Sequence, residues 1–123
     1  AGCGRLFEGT ALQMYDSLKK IAALPKNTLV YCAHEYTLAT LQFAMQVEPD
    51  NTDIRTRLFE AKRSCARGQP TVPSTLELEL RTNPFLRCNN GSGMVAAESF
   101  AERRLTSRQE VFAVLRYWKD TLD

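Results

Sequence analysis

The chain has little histidine, no close pair of cysteines and no long apolar run. His34 is its one histidine, whereas a catalytic zinc site needs about three protein ligands. The four cysteines lie far apart without a CxxC pair, so we expect neither a zinc ribbon nor a dithiol redox motif, and instead buried or half-buried free thiols. No apolar stretch approaches the roughly 18 residues of a membrane span. A membrane partner is therefore not expected.

The chain also lacks a large excess of charge of one sign, because it has 16 Lys and Arg and 14 Asp and Glu. Nucleic-acid binding needs clustered positive charge, so no nucleic-acid partner is expected and an anionic ligand must be held by a few placed cations. No G-x-S-x-G turn suggests a serine hydrolase. Free thiols without a visible export signal favour the cytoplasm. The chain opens at Ala1 without an initiator Met, and we expect a segment before it.

The first third of the chain predicts one helix and one strand. Thr10 and Gln13 form a capping-box signature, and apolar residues then recur at helical spacing to about Leu24. Residues 28–33 are apolar and rich in strand formers, which predicts a buried strand ending at His34. We expect no pairing partner for this strand within the chain, which argues for a missing N-terminal piece.

The rest of the chain predicts about four helical segments. Their limits are about 38–48, 51–68 with a cap at Asp50 or Asn51, a short helix opened by a Ser74 and Glu77 capping box, and a last helix opened by Ser107 and Glu110. Residues 89–93 contain Asn-Gly and Ser-Gly steps, which predict a flexible loop. The expected fold is mainly α, with a helix and strand of an α/β layer in residues 1–36 and an all-helical domain in residues 37–123.

A few side chains stand where chemistry is possible. His34 follows a predicted strand, and such strand ends gather functional residues in α/β folds. Arg5 follows the glycine-punctuated turn Gly2-Cys3-Gly4, while Arg116 and Lys119 are three residues apart on a helix and could together clamp a carboxylate. Each also has a simpler interpretation, as a structural histidine or as solvated charge. The residues alone leave these alternatives open.

Several ordered blocks together are more specific. The chain closely resembles the hydroxyacylglutathione hydrolases, the glyoxalase II family, in residues 2–10 (GCGRLFEGT) and 31–37 (YCAHEYT). The resemblance continues through residues 72–75 (VPST), residues 83–87 (NPFLR) and the terminal Arg116-x-x-Lys119-Asp120. It thus covers essentially the whole chain.

The resemblance implies a fold, a metal site and a glutathione site. In that family a metallo-β-lactamase α/β sandwich precedes a helical domain, so residues 1–36 would be the end of the first and residues 37–123 the second. It implies that His34 is one ligand of a two-metal site, with zinc, iron or manganese as the divalent ions. The residues that it assigns to glutathione are Arg5, Phe7, Tyr36, Arg116 and Lys119.

The implied reaction is hydrolysis of S-2-hydroxyacylglutathione thioesters, such as S-lactoylglutathione, to glutathione and a 2-hydroxy acid. The family's T-H-x-H-x-D-H motif is absent, so we expect the isolated chain to be inactive without its N-terminal α/β domain. Phe7 and Ala33 stand where some members have Tyr and Gly. Two alternatives are a stand-alone helical module that binds glutathione conjugates without hydrolysis and a purely structural interaction domain.

Overall fold

A computed structural model describes all residues, 1–123, and is mainly helical. None of its helices has the length and apolarity needed to cross a membrane. The elements in chain order are α1 (Ala11–Ala22), β1 (Leu29–Val30), α2 (Thr37–Val47), α3 (Thr52–Ala66), β2 (Ser74–Thr75), α4 (Leu76–Thr82), a 3-10 helix (Pro84–Leu86), α5 (Gly91–Ala101) and α6 (Arg108–Leu122).

Polar caps set most of the helix starts. The Thr10 hydroxyl accepts from the Gln13 backbone N–H at 3.2 Å, and the Gln13 side chain accepts from the Thr10 N–H at 2.9 Å, which confirms the predicted capping box. Asn51 caps α3 and Ser107 caps α6, as their positions predict. These starts were predictable because each depends on contacts within three residues.

The start of α4 differs from the prediction by one residue. Thr75 is the cap, because its hydroxyl accepts from the Leu78 N–H at 3.2 Å. The hydroxyl of Ser74 instead donates to the carboxylate of Glu79 at 2.7 Å. The Ser74 hydroxyl therefore binds a side chain from the middle of α4 and does not cap the helix.

The predicted strand is shorter than expected and is not buried, since Leu29 is exposed. The prediction that it has no partner in the chain is also wrong. Leu29 and Val30 pair antiparallel with Ser74 and Thr75 in a two-stranded sheet. The Leu76 N–H also donates to the Thr28 carbonyl at 2.8 Å. The connector after α3 returns to this strand, a long-range event that local patterns do not encode. The strand's pairing thus gives no argument for a missing piece.

The prediction of a loop at residues 89–93 is also wrong, because α5 begins at Gly91. The Asn90 side chain accepts from the Ser92 N–H at 3.0 Å and caps the helix. Gly93 and Ala97 are buried where α5 meets α2 and α6. Close packing of small residues outweighs their weak local preference for helix. Five α-helices therefore follow Tyr36.

The core lies between α2, α5, α6 and the 3-10 helix. Phe43, Phe85 and Phe112 are fully buried at its centre. The Phe85 ring stacks on Phe43 and meets Phe112 in a T-shaped contact, with centroids about 6 Å apart in each pair. A smaller apolar cluster joins α2 to α3 through Leu41 and Ile54. This core fixes the C-terminal half of α6 beside the start of the chain.

The four cysteines are all free. Cys88 is buried and Cys3 half-buried, as expected for core thiols, and burial raises the pKa of Cys88 to about 12. Cys32 and Cys65 are exposed, so the expectation of buried or half-buried thiols is wrong for these two.

Candidate functional site

One cavity of about 640 Å³ collects every residue that the sequence singled out. Its volume lies within the usual range for small-molecule sites. It is bounded by the first seven residues, by the loop before α2 and by the C-terminal half of α6. The predicted residues that line it are Arg5, Phe7, His34, Tyr36, Arg116 and Lys119.

The first wall of the cavity is the N-terminal strap, residues 1–5, which buried polar side chains hold in place. The side-chain amide of Asn83 donates to the Gly2 carbonyl at 3.0 Å. Gly2 has φ of +94°, and a Cβ there would lie 2.7 Å from the Thr40 hydroxyl oxygen. Only glycine therefore lets the strap approach α2 so closely.

Arg116 fixes the next two residues of the strap. One terminal nitrogen donates to the Cys3 carbonyl at 2.6 Å and to the Gly4 carbonyl at 3.3 Å. The other nitrogens contact the Asp120 carboxylate at 2.8 and 3.1 Å, and the guanidinium lies 4.9 Å from the centre of the Phe85 ring. Most of its donors are thus used within the protein.

The sequence interpretation placed Arg116 and Lys119 on one helix face, with solvated charge as the simpler alternative. Both residues are buried, with 3% and 8% of their surface exposed. Arg116 therefore shapes the wall, whereas the Lys119 ammonium keeps donors toward the cavity beyond its one bond to Asp123.

Two carboxylates pair with the cations of the cavity, and the sequence analysis assigned a role to neither of them. Asp123 accepts a hydrogen bond from Lys119 and lies 3.4 Å from a terminal nitrogen of Arg5. Asp120 lies 3.8 Å from Arg5 and also pairs with Arg116. The hydrogen bond from Lys119, aided by Arg5, holds the pKa of Asp123 below its usual value. Three cations still face two carboxylates, which favours an anionic ligand.

The loop before α2 supplies the aromatic side of the cavity. The rings of His34 and Tyr36 stack, with centroids 4.9 Å apart and planes within 8°. Phe7 lines the same cavity, with 88% of its surface exposed. Exposed aromatic faces of this kind suit the apolar parts of a ligand.

Glu35 holds this loop, a contact that sequence reasoning missed. Its carboxylate accepts from the Thr71 backbone N–H at 2.8 Å and from the Thr71 hydroxyl. These bonds hold the pKa of Glu35 below its usual value. The two residues are 36 positions apart, so no local pattern announces the contact.

The residues present do not by themselves fit a metal ion. His34 offers one imidazole, and no group of three or more His, Cys, Asp or Glu side chains in residues 1–123 is arranged to hold a metal. The cavity thus combines the cationic side chains of Arg5 and Lys119 with the exposed rings of Phe7 and Tyr36.

Comparison with known proteins identifies the family of the chain. Residues 35–122 match the family model described as hydroxyacylglutathione hydrolase C-terminus. The chain is 55% identical over 120 residues to a hydroxyacylglutathione hydrolase of Pseudomonas aeruginosa, covering 98% of this chain and 46% of the relative. It is 56% identical over 119 residues to one of Alkalilimnicola ehrlichii, covering 97% of this chain and 46% of the relative. The chain thus spans less than half the length of these relatives, and it belongs to the hydroxyacylglutathione hydrolase family.

Proposed function

We propose that the longer protein to which this chain corresponds hydrolyses S-2-hydroxyacylglutathione thioesters, such as S-lactoylglutathione, to glutathione and a 2-hydroxy acid. The relatives are named for this hydrolysis, and this chain matches their C-terminal portion. The main support is the cavity, where six residues from three distant parts of the chain meet around an excess of positive charge. Glutathione carries two carboxylates, which such a surface would bind.

In this proposal the chain supplies most of the residues that bind glutathione. Arg5 and Lys119 bind carboxylates directly, since their cationic donors face the cavity. Phe7 and Tyr36 contact the rest of the peptide through their exposed rings. Arg116 acts chiefly by holding the strap and offers the ligand few donors. Residues 1–36 are the end of an α/β domain, and residues 37–123 are the helical substrate-binding domain.

The metal site in this proposal is shared with residues outside this chain. His34 contributes one ligand, and the N-terminal α/β domain contributes the others for two divalent ions, zinc or alternatively iron or manganese. Metal ions of this kind lower the pKa of bound water and stabilise negative charge on oxygen. We place the protein in the cytoplasm, because its exposed thiols suit a reducing compartment.

The test of glutathione binding is Lys119→Ala in the longer protein, assayed for hydrolysis of S-lactoylglutathione. Loss of a charge-assisted hydrogen bond should raise KM about tenfold and leave kcat little changed. Arg104→Ala is the matched control, because Arg104 is exposed and does not line the cavity. An unchanged KM in the lysine variant would remove Lys119 from the glutathione site, and absence of hydrolysis by the unmodified protein would overturn the proposed function.

The test of the metal role is His34→Ala in the same protein. We expect bound metal and activity to fall together, as measured by elemental analysis and by the thioesterase assay. Full metal content in the variant would contradict ligation by His34. Residues 1–123 expressed alone should bind S-methylglutathione, a thioether, and should not hydrolyse the thioester S-lactoylglutathione. This comparison separates ligand binding from hydrolysis.

A further inference from the structure

The space between Arg5 and Lys119 is already filled by a carboxylate of the protein itself. One oxygen of Asp123 accepts from the Lys119 ammonium, and the other lies 3.4 Å from a terminal nitrogen of Arg5. A single carboxylate thus bridges two cations, one oxygen to each. A ligand carboxylate bound to the same pair would make the same contacts.

The outer side of this bridge is open to solvent, so a ligand can reach it. Asp123 lines the cavity with 36% of its side chain exposed, and the Arg5 side chain is 45% exposed. The Arg5–Asp123 pair is therefore exposed, and exposed ion pairs contribute little net free energy, whereas the Lys119 side of the bridge is buried. Asp120, the other carboxylate near Arg5, is bound more closely to Arg116, at 2.8 Å against 3.8 Å to Arg5. Asp123 is therefore the group that a ligand would replace.

We propose that Asp123 is an internal competitor for the carboxylate-binding pair Arg5 and Lys119, so that it sets the affinity for the carboxylate of the incoming ligand. The inference rests on the proposed function, since it takes a glutathione carboxylate as the displacing group. On binding, the Asp123 carboxylate moves into solvent and the ligand carboxylate takes both contacts. The cations stay paired in the free and the bound protein, so neither is left uncompensated beside the buried Arg116.

The test compares Asp123→Asn with the unmodified longer protein, with S-methylglutathione as a probe that cannot be hydrolysed. Isothermal titration should give about a three- to fivefold lower Kd for the variant, because the probe no longer displaces a charged competitor. The gain should shrink at about 1 M salt, where exposed charges are screened. Glu60→Gln is the control: it changes net charge equally, but Glu60 is exposed on α3 and does not line the cavity.

A second probe distinguishes competition from general loosening. The diethyl ester of S-methylglutathione has both carboxylates masked and should bind the variant and the unmodified protein equally. An equal gain for the ester, a gain in Glu60→Gln, or no gain for the acid would overturn the inference while leaving the proposed function intact. If the unmodified protein does not bind S-methylglutathione at all, the proposed function fails and the inference fails with it.

Discussion

Arg116 is a buried side chain that supports the cavity chiefly by holding its wall in place. Its guanidinium holds the carbonyls of Cys3 and Gly4 and the carboxylate of Asp120, and it packs over Phe85. A planar fork of donors suits this set, whereas an ammonium would reach only part of it. The position of Arg5 at the cavity therefore depends on Arg116.

We predict that Arg116→Ala lowers the free energy of unfolding by about 2–4 kcal/mol, because two strap carbonyls and Asp120 lose their partner. Arg116→Lys should recover less than half of this loss. Urea unfolding of residues 1–123 measures both, with Arg104→Ala as an exposed control that should cost less than about 0.5 kcal/mol. A loss in Arg116→Ala no larger than that of the control would show that the strap does not depend on this side chain.

The residues that line the cavity were predictable from the sequence, whereas several contacts that hold them were not. Ordered motifs placed Arg5, Tyr36 and Lys119 in one site, and the structure brings them together. The hydrogen bonds that Thr71 donates to Glu35 and the contact of Arg5 with Asp123 were not predictable, because each joins chain segments that meet only after folding. Burial of Arg116 was missed for the same reason.

At the scale of elements, the strap depends on a single backbone conformation. Gly2 takes a φ of +94° against α2, in contact with Thr40, whereas a Cβ on Gly4 would meet nothing within 4 Å. The two glycines are two positions apart, but only the first lacks room for a side chain. They form a natural pair for comparison.

We predict that Gly2→Ala lowers the free energy of unfolding by about 1–3 kcal/mol, through a strained φ and a clash with Thr40. Gly4→Ala should change it by less than about 0.5 kcal/mol. Chemical denaturation of the two variants side by side gives the comparison. Equal effects would mean that the strap is not seated against α2 in solution.

A buried ion pair joins α3 to α4. Glu79 is 2% exposed and lies 2.6 Å from Arg57, with further bonds from Ser74 and Asn83. Burial alone would raise the pKa of this carboxyl, but in residues 1–123 as a free chain the Ala1 ammonium and Arg57 outweigh burial and hold the pKa below its usual 4.5. The folded state thus favours the ionised form.

Because the folded pKa lies below the unfolded one, this stabilisation is complete above about pH 4.5 and is lost as the pH falls through the folded value. We predict that the melting temperature drops as the pH is lowered from about 5 to 3, and that Glu79→Gln is less stable at pH 7 but loses less over that range. Calorimetry on residues 1–123 and on its Glu79→Gln variant, with Glu60→Gln as the exposed control, provides the measurement. Parallel curves for Glu79→Gln and the unmodified chain would contradict the assignment.

Helix starts and the long helices could be predicted from local signals, since caps and apolar spacing act within a turn or two. The exception is α5, where Gly91 and Gly93 suggested a loop and tertiary packing made a helix. The pairing of β1 with β2 joins residues more than 40 positions apart, so the sequence could not give its register.

At the scale of the whole molecule, exposed apolar side chains are concentrated near the start. Seven of the twelve large exposed hydrophobic residues fall in the first 36 positions. They are Phe7, Leu12, Ile21, Leu24, Leu29, Tyr31 and Tyr36. Soluble proteins seldom leave so much apolar surface uncovered without using it for contact.

We predict that residues 1–123 expressed alone associate reversibly, with a sedimentation coefficient that rises with concentration. Leu24→Ser combined with Tyr31→Ser should weaken this association, because both side chains are exposed in the first 36 residues. Val95→Ser combined with Leu122→Ser is the control, since these exposed residues lie in α5 and α6. A monomer at all concentrations would show that this surface does not drive contact.

The strap and α6 are far apart in sequence, but the Arg116 side chain joins them by hydrogen bonds. This contact sets a condition for exchanging segments between related proteins. A chimera that combines residues 1–36 of one relative with residues 37–123 of another would place a foreign Arg116 against a foreign Cys3–Gly4 turn. Because the acceptors are backbone carbonyls, they are present whatever side chains the strap carries. Such an exchange should therefore be tolerated wherever the incoming α6 keeps an arginine at this position and the incoming strap keeps a glycine at position 2.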